Sequence, residues 1–294
     1  MGIARNGEVE LYYERLGEGG AGPVLLINGL GGQVGLSGFL DPLCQMAVDA
    51  GLEVIRFDNR DAGLSTEFTA AGAVDMAALG EGRQVPIPYT LHDMVDDALA
   101  VLDDAGAGTA HILGMSLGGF IARWLAVDHP ARVASLTLLV TGSAAPAGAG
   151  PQLAPEAAAR FIEFAQPRER DDAIARAVEL YSWLWGTAGD PASEEALRSL
   201  ATAAYERAYR PLGIQRQLLA SMASPGLYEA QGRIGCPTLV IQGEADPVFP
   251  QPHGEAIAAS IPGADYWLVE RMGHGVPPEH WPELVQRIAA QVAG

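Results

Sequence analysis

The chain has 294 residues, enough for one large domain with an insertion, and its 36 acidic against 18 basic residues give a net charge of −18. This acidic balance argues against nucleic acids and anionic membrane surfaces as partners. All the basic residues are arginine, which excludes Schiff-base chemistry on lysine and the lysine of a phosphate-binding P-loop.

The N-terminal sequence lacks a signal-peptide pattern, and no apolar run approaches the roughly 18 residues of a membrane span. Cys44 and Cys236 lie far apart in apolar contexts, which is typical of buried thiols in a reducing compartment. Metal-binding clusters of Cys, His or carboxylates at short spacing are absent. We therefore expect a cytoplasmic protein that needs neither a metal ion nor another cofactor. The sequence does not indicate which oligomeric state the protein has.

Strands and helices alternate in the first half of the chain. The apolar patterns predict, in order, strands at 9–14 and 24–27, a helix at 39–50, a strand at 53–57, a helix at 91–105 capped by Thr90, a strand at 111–115, a helix through 120–126 and a strand at 133–140. Such alternation is typical of a parallel sheet covered by helices.

The composition changes at Ala144. A run rich in Ala, Gly and Pro is followed by helical patterns at 155–166, 170–185, 191–210 and 211–223, and then by a strand at 236–242, a helix at 252–260, a strand at 265–269 and a helix at 279–292. The prediction is a core domain formed by residues 1–143 and 232–294, with a helical cap domain at 144–231.

Gly114-Met115-Ser116-Leu117-Gly118, between the strand at 111–115 and the helix after it, fits the nucleophile-elbow pattern G-x-S-x-G. The turn is so tight that the positions flanking the serine must be glycine. It exposes the Ser116 hydroxyl above the sheet and puts the Leu117 N–H at a helix N-terminus, where it can stabilise negative charge. Ser116 is therefore the predicted nucleophile.

A serine hydroxyl needs a base, and the base needs an acid that orients it. Of six histidines, His274 alone lies in a glycine-bounded loop after a strand, where open α/β sheets place their sites. The predicted acid is Asp246, directly after the strand at 236–242; Glu244 is the competitor, nearer the strand end and expected to point away. The position one strand earlier, Thr141-Gly142-Ser143, offers no carboxylate.

Two polar or glycine-rich loops have simpler explanations than a second site. The glycines at 29–32 do not fit the dinucleotide fingerprint, and a loop that turns a backbone N–H toward Ser116 explains them better. The dense charges at 58–65 indicate a tight structural loop beside the site.

The order of Ser116, Asp246 and His274, with the loop Asp58-Asn59-Arg60-Asp61-Ala62-Gly63-Leu64-Ser65, resembles the α/β-hydrolase superfamily. More narrowly, the segments at 54–61 and 237–242, Asp246-Pro247 and Gly273-His274 resemble the bacterial esterases of the aclacinomycin methylesterase group. The resemblance implies an α/β-hydrolase fold, with a mostly parallel central sheet flanked by helices and an inserted helical cap. It also implies that the backbone N–H groups of Leu30 and Leu117 stabilise the oxyanion. Asn28 departs from the histidine that often stands there in the superfamily.

The implied function is hydrolysis of a small-molecule carboxylic ester by a serine hydrolase, with a methyl ester of a polyketide-type or other bulky apolar compound as one candidate. Thioesterase, carbon–carbon hydrolase and cofactor-free haloperoxidase or perhydrolase chemistry stay open on the same three residues, as does an inactive fold that only binds. The cap is expected to set substrate choice and not the chemistry. Most of its aromatic residues are expected to pack between helices: Phe161, Phe164, Tyr181, Trp183 and Trp185.

Overall fold

A computed structural model describes residues 1–36, 40–81, 83–186 and 193–294. The predicted starts of two helices, Phe39 and Pro191, lie outside these residues.

Eight strands form one sheet in the order β1-β2-β4-β3-β5-β6-β7-β8. They are β1 (Gly2–Asn6), β2 (Val9–Leu16), β3 (Val24–Ile27), β4 (Val54–Phe57), β5 (Ala110–Met115), β6 (Val133–Leu139), β7 (Thr238–Gly243) and β8 (Asp265–Val269). Strand β2 pairs antiparallel with β1 and β4, and the pairs from β4 to β8 are parallel. The predicted mostly parallel sheet is thus confirmed.

Helices cover both faces of this sheet. The α-helices of the described residues outside the β6–β7 connection are α1 (Asp41–Asp49), α2 (Met76–Gly80), α3 (Leu91–Asp104), α4 (Leu117–Asp128), α10 (Pro252–Ser260) and α11 (Trp281–Ala293). Along β3, Leu25 and Ile27 join the core beneath α3, α4 and α10, whereas Val24 and Leu26 join the core beneath α1 and α11. Because successive side chains of a strand point to opposite faces, a strand covered on both sides reads as a continuous apolar run.

Between β6 and β7, the regular secondary structure of the described residues is entirely helical. It contains α5 (Pro155–Phe164), α6 (Arg170–Trp185), α7 (Glu194–Arg207), α8 (Pro211–Met222) and α9 (Leu227–Ala230). Helices α6 and α7 pack together through Ile174, Ala177 and Ala201. Helices α5 to α8 occur where the sequence predicts helices, and the short α9 is not predicted. The division into domains at residues 144 and 231 stays a prediction.

Some local predictions are confirmed in detail and others need correction. Thr90 and Asp93 form a capping box at the start of α3, in which each side chain accepts from the other's backbone N–H. Strand β1 and helix α2 are not predicted. In β1 only Ala4 is buried, so this edge strand has too few apolar residues to give a pattern. His280 lies in a 3₁₀ turn just before α11, not within the predicted final helix.

Candidate active site

The loops that follow β3, β5, β7 and β8 meet at the carboxyl edge of the sheet, and each brings one or more of the predicted site residues. Ligands of open α/β sheets bind at this edge. Ser116 lies at the sharp turn between β5 and α4, with φ of 53° and ψ of −118°, a strained backbone for a residue with a side chain. A Cβ at Gly114 would lie 2.3 Å from the carbonyl oxygen of Gly118, and one at Gly118 would lie 2.1 Å from that of Ile27. Both flanking positions therefore require glycine.

Ser116, His274 and Asp246 form one continuous hydrogen-bonded chain. The Ser116 hydroxyl lies 3.0 Å from Nε2 of His274. On the other side of the ring, Nδ1 lies 2.9 Å from Oδ2 and 3.1 Å from Oδ1 of Asp246. Because an ionised carboxylate only accepts, Nδ1 carries the proton and Nε2 is left to accept from the serine. The structure thus brings the three predicted side chains together.

The Asp246 carboxylate is buried and holds its orientation through several donors besides the imidazole. Its Oδ1 accepts from the backbone N–H groups of Val248 at 2.8 Å and Phe249 at 3.0 Å. Its Oδ2 accepts from the Gln242 amide at 3.0 Å. These bonds fix both oxygens, so the ring of His274 meets an acceptor in one defined place.

The competing carboxylate points elsewhere. Glu244 is exposed and accepts a hydrogen bond of 3.0 Å from the backbone N–H of Arg271. One strand earlier, Thr141 donates through its hydroxyl to the carbonyl oxygen of Ser116 and so supports the turn. Of the two candidate acids, Asp246 is the one in contact with His274.

The two candidate oxyanion donors flank Ser116. Leu117 is the first residue of α4, where a backbone N–H has no partner within the helix. Leu30 follows Gly29, which lies so close to Ser116 that a Cβ added at Gly29 would be 3.2 Å from the Cβ of Ser116. The carbonyl of Gly29 accepts from the N–H of Gly32 at 3.0 Å, which closes a tight turn around Leu30.

The loop at 58–65 packs beside the loop after β3 and contacts the inserted helix α7. The buried Asp58 carboxylate accepts from the backbone N–H of Val34 at 2.7 Å and pairs with Arg207 at 2.8 Å. Asn28, which stands where the superfamily often has histidine, donates a long hydrogen bond of 3.4 Å to the carbonyl oxygen of Phe57. These contacts agree with the structural role that the sequence predicts for the loop.

A cavity of about 210 Å³ opens from Ser116 and His274 beneath the inserted helices. Its aromatic lining is Phe161, Phe164, Tyr181, Tyr205, Tyr209 and Trp185. Of the five cap aromatics named from the sequence, all but Trp185 pack in apolar clusters, and all but Trp183 also line this cavity, so packing describes only part of their role. The local helical pattern does not reveal which face of an inserted helix turns toward the sheet. Burial raises the pKa of the Tyr181 phenol to about 12, so this group in the cavity wall is protonated at neutral pH.

A second cavity, of about 200 Å³, meets the first at Leu30, Ser116 and Phe161. Leu117, Phe120, Leu153, Val248, Phe249 and His253 contribute to its wall. His253 is buried, and its Nδ1 accepts from the backbone N–H of Ser143 at 3.2 Å. The sequence indicates only that this histidine begins a helix, so its place beside the cavity is a finding of the structure.

Within the described ranges, no three His, Cys, Asp or Glu side chains are placed to hold a metal ion together. No helix in the same part of the chain combines the length and apolar character that a membrane span requires.

Comparison with known proteins gives matches along most of the chain. Residues 22–280 match the family described as alpha/beta hydrolase fold. Rhodomycin D methylesterase DnrP of Streptomyces peucetius is 33% identical over 290 residues, covering 92% of this chain and 91% of that protein. Rhodomycin D methylesterase DauP of Streptomyces sp. (strain C5) is 32% identical, covering 92% and 90%. The structure of the enol-lactonase from Burkholderia xenovorans LB400 superposes with a TM-score of 0.76 at 22% identity over all of both chains, which supports the fold.

Proposed function

This chain belongs to the alpha/beta hydrolase family and is a carboxylic ester hydrolase, and from that premise we propose that it works through an acyl-enzyme formed on Ser116. In this proposal His274 is the general base and acid, and Asp246 orients it. The observation that carries the proposal is the unbroken contact from the Ser116 hydroxyl through the imidazole to the Asp246 carboxylate, at 3.0 and 2.9 Å.

In the first half of the reaction the Ser116 oxygen bonds to the ester carbonyl carbon while its proton passes to Nε2 of His274. Asp246 keeps the proton on Nδ1 and stabilises the imidazolium that forms. The backbone N–H groups of Leu30 and Leu117 donate to the oxygen that becomes negative. The bond to the leaving alcohol then breaks, and the alkoxide takes the proton from Nε2.

In the second half a water molecule attacks the acyl carbon and gives its proton to His274. The intermediate collapses, the bond between Ser116 and the acyl group breaks, and the serine oxygen recovers its proton from Nε2. The carboxylic acid leaves, and the three side chains return to their starting protonation. Every proton transfer runs through one imidazole, so the proposed reaction uses groups of the protein and water alone.

The proposed substrate is a methyl ester of a polyketide-type or other bulky apolar acid. Two relatives of similar length carry the name rhodomycin D methylesterase, and this supports a methyl ester. The aromatic wall of the larger cavity supports an apolar substrate, because such pockets bind mainly by burying apolar surface. The inserted helices at 144–231 form this wall, and we propose that they act as a cap domain that selects the substrate.

An active-site phosphonate tests the assignment. Phosphonylation should add one phosphonyl mass to the protein, on the peptide that contains Ser116. Ser116→Ala should abolish the label, whereas Ser143→Ala, in the loop after the neighbouring strand β6, should keep it. A protein that binds esters without labelling and without turnover would be a binding module. Comparing turnover of methyl and p-nitrophenyl esters with turnover of thioesters and with peracid formation separates the enzyme activities.

A further inference from the structure

We propose that Gln217, on the inserted helix α8, is a positioning residue for the loop that carries the Leu30 N–H, so that the insertion takes part in the chemistry as well as in substrate choice. The inference rests on the proposed function, because Leu30 matters in this way only if it stabilises an oxyanion.

The Gln217 side chain is fully buried and both ends of its amide are engaged. Its Oε1 accepts from the backbone N–H of Gly31 at 2.8 Å. Its Nε2 donates to the carbonyl oxygen of Arg60 at 2.7 Å. One side chain of the insertion therefore bridges two core loops, the one after β3 and the one after β4.

Gly31 directly follows Leu30, so a bond to the Gly31 N–H constrains Leu30 from its carboxyl side, one peptide after the one that carries the Leu30 N–H. The two residues share a peptide group, and Gly31 has φ of 64°, the left-handed region that favours glycine. On one side of Leu30 the turn is closed by the bond from Gly32 to Gly29, and on the other Gln217 fixes the Gly31 N–H. Without Gln217 this second tie is lost, and the Leu30–Gly31 peptide can rotate to find another acceptor, which changes the backbone angles at Leu30 and with them the direction of its N–H.

The same loop is tied to the insertion at a second place. The Gln33 amide nitrogen donates to the carbonyl oxygens of Ala204 at 2.9 Å and Ala208 at 3.0 Å, at the end of α7. Ile214 of α8 also packs so closely that a Cβ at Gly31 would lie 2.8 Å from it. The loop after β3 is thus shaped by the inserted helices as well as by the sheet.

The consequence concerns the transition state more than substrate binding. An oxyanion donor acts on charge that develops during the reaction, and its loss typically costs about 10²- to 10³-fold in kcat. A donor that is loosened but still present should cost less. We therefore expect Gln217→Met, which keeps the length of the side chain but not its hydrogen bonds, to lower kcat roughly 10- to 100-fold with KM changed less than about threefold.

Gln215→Met is the matched control. Gln215 lies on the same helix and is buried, and its amide bonds to Val74 and Ala165, which are not in the loop after β3. It should retain near wild-type kcat. Gln217→Glu is the conservative variant, since its carboxyl group keeps an acceptor for Gly31 and, when protonated, a donor for Arg60. It should retain more activity than Gln217→Met, and it keeps the test open if the methionine variant does not fold.

The decisive readout is a trifluoromethyl ketone that adds to Ser116 and forms a stable oxyanion. Gln217→Met should weaken its inhibition by the same factor as kcat, while the affinity for the carboxylic acid product stays within about twofold. Equal kcat and equal inhibition for the Gln217 and Gln215 variants would overturn the inference. That result leaves the phosphonate label on Ser116 intact, whereas failure of the proposed function removes the label itself.

Discussion

The backbone N–H of His274 donates a 2.7 Å hydrogen bond to the carbonyl oxygen of Leu184, in the last turn of the inserted helix α6. The helix end lies so close to this loop that a Cβ at Gly273 would fall 2.2 Å from the carbonyl oxygen of Trp185. The imidazole that faces Ser116 is therefore positioned from two directions, by Asp246 through its ring and by the insertion through its backbone.

Gly273→Ala should lower kcat about 100-fold, because the added methyl group must push the His274 loop away from α6 and small displacements of catalytic groups are costly. Gly275→Ala is the control: its Cβ would lie 3.5 Å from the Trp185 ring, an ordinary contact, and its kcat should stay near wild type. Steady-state kinetics of both variants check this. Equal activity would show that the loop tolerates the shift.

Ser116→Ala and His274→Ala should each lower kcat on the order of 10⁴-fold or more, because one removes the proposed nucleophile and the other its base. The double variant should be hardly slower than either single one, since the two residues act as a unit. Single-turnover assays of the three variants measure this, and losses that multiply would mean that the residues act independently.

Asp246→Asn should lower kcat by about 10³-fold while the protein stays folded, because asparagine favours the wrong imidazole tautomer and does not stabilise the imidazolium. Glu244→Gln, at the exposed carboxylate two residues earlier, should change kcat less than about threefold. The ratio of the two rates is the measurement. The reverse order would place the orienting acid at Glu244.

Arg216→Met should lower the free energy of unfolding by about 3–5 kcal/mol, because it leaves the Asp61 carboxylate buried without its partner. Both side chains are fully buried, and the guanidinium makes bonds of 2.7 and 2.8 Å to the two carboxylate oxygens. Arg198 forms an exposed ion pair with Glu194, and Arg198→Met should change the free energy of unfolding by less than about 0.5 kcal/mol. Urea titrations at neutral pH give both values, and a similar loss in both variants would contradict the expectation.

Acid should destabilise the fold partly through His253. Burial lowers the pKa of this histidine below its ordinary value of 6.5, and the nearby Arg123 lowers it further, against the opposing effects of Gln152 and Asp246. The unfolded chain therefore takes up the proton first, so the free energy of unfolding falls as the pH drops below about 6.5 and levels off below the folded-state pKa. In denaturant titrations between about pH 7.5 and 5.5, the free energy of unfolding of His253→Gln should fall less steeply with decreasing pH than that of the wild type. If the free energy of unfolding of the variant depends on pH as steeply as that of the wild type, other groups cause the destabilisation by acid.

The sequence predicts the main architecture because strongly apolar strands and amphipathic helices alternate over most of it. The side chains of Val24–Ile27 are buried on both faces of the sheet, so they form a continuous apolar run that predicts a buried strand. The three polar groups of the candidate site are also recognisable, because each lies in the turn or loop that follows a predicted strand, and parallel strands bring those ends together. The edge strand β1 escapes prediction because its pairing with β2, more than its own composition, makes it a strand.

Contacts between distant segments are what the sequence does not reveal. Gln217 lies within an ordinary helical pattern, and nothing local shows that its amide reaches the N–H of Gly31, 186 positions away. The same holds for Phe164 on α5 and Tyr181 on α6, because the sequence does not show which face of either helix points to the cavity. Such roles depend on the orientation in which the inserted helices pack over the sheet. Short-range periodicity in the sequence does not encode this orientation.

The contact between Ser116 and His274 joins residues 158 positions apart, with the helical insertion between them. During synthesis the proposed nucleophile is therefore made long before its proposed base. A reactive serine without a base is inert at neutral pH. Under the proposed mechanism, hydrolysis therefore requires that β8 has joined the sheet, since only then does His274 face Ser116. On that mechanism, the chain acquires esterase activity only once its topology is complete.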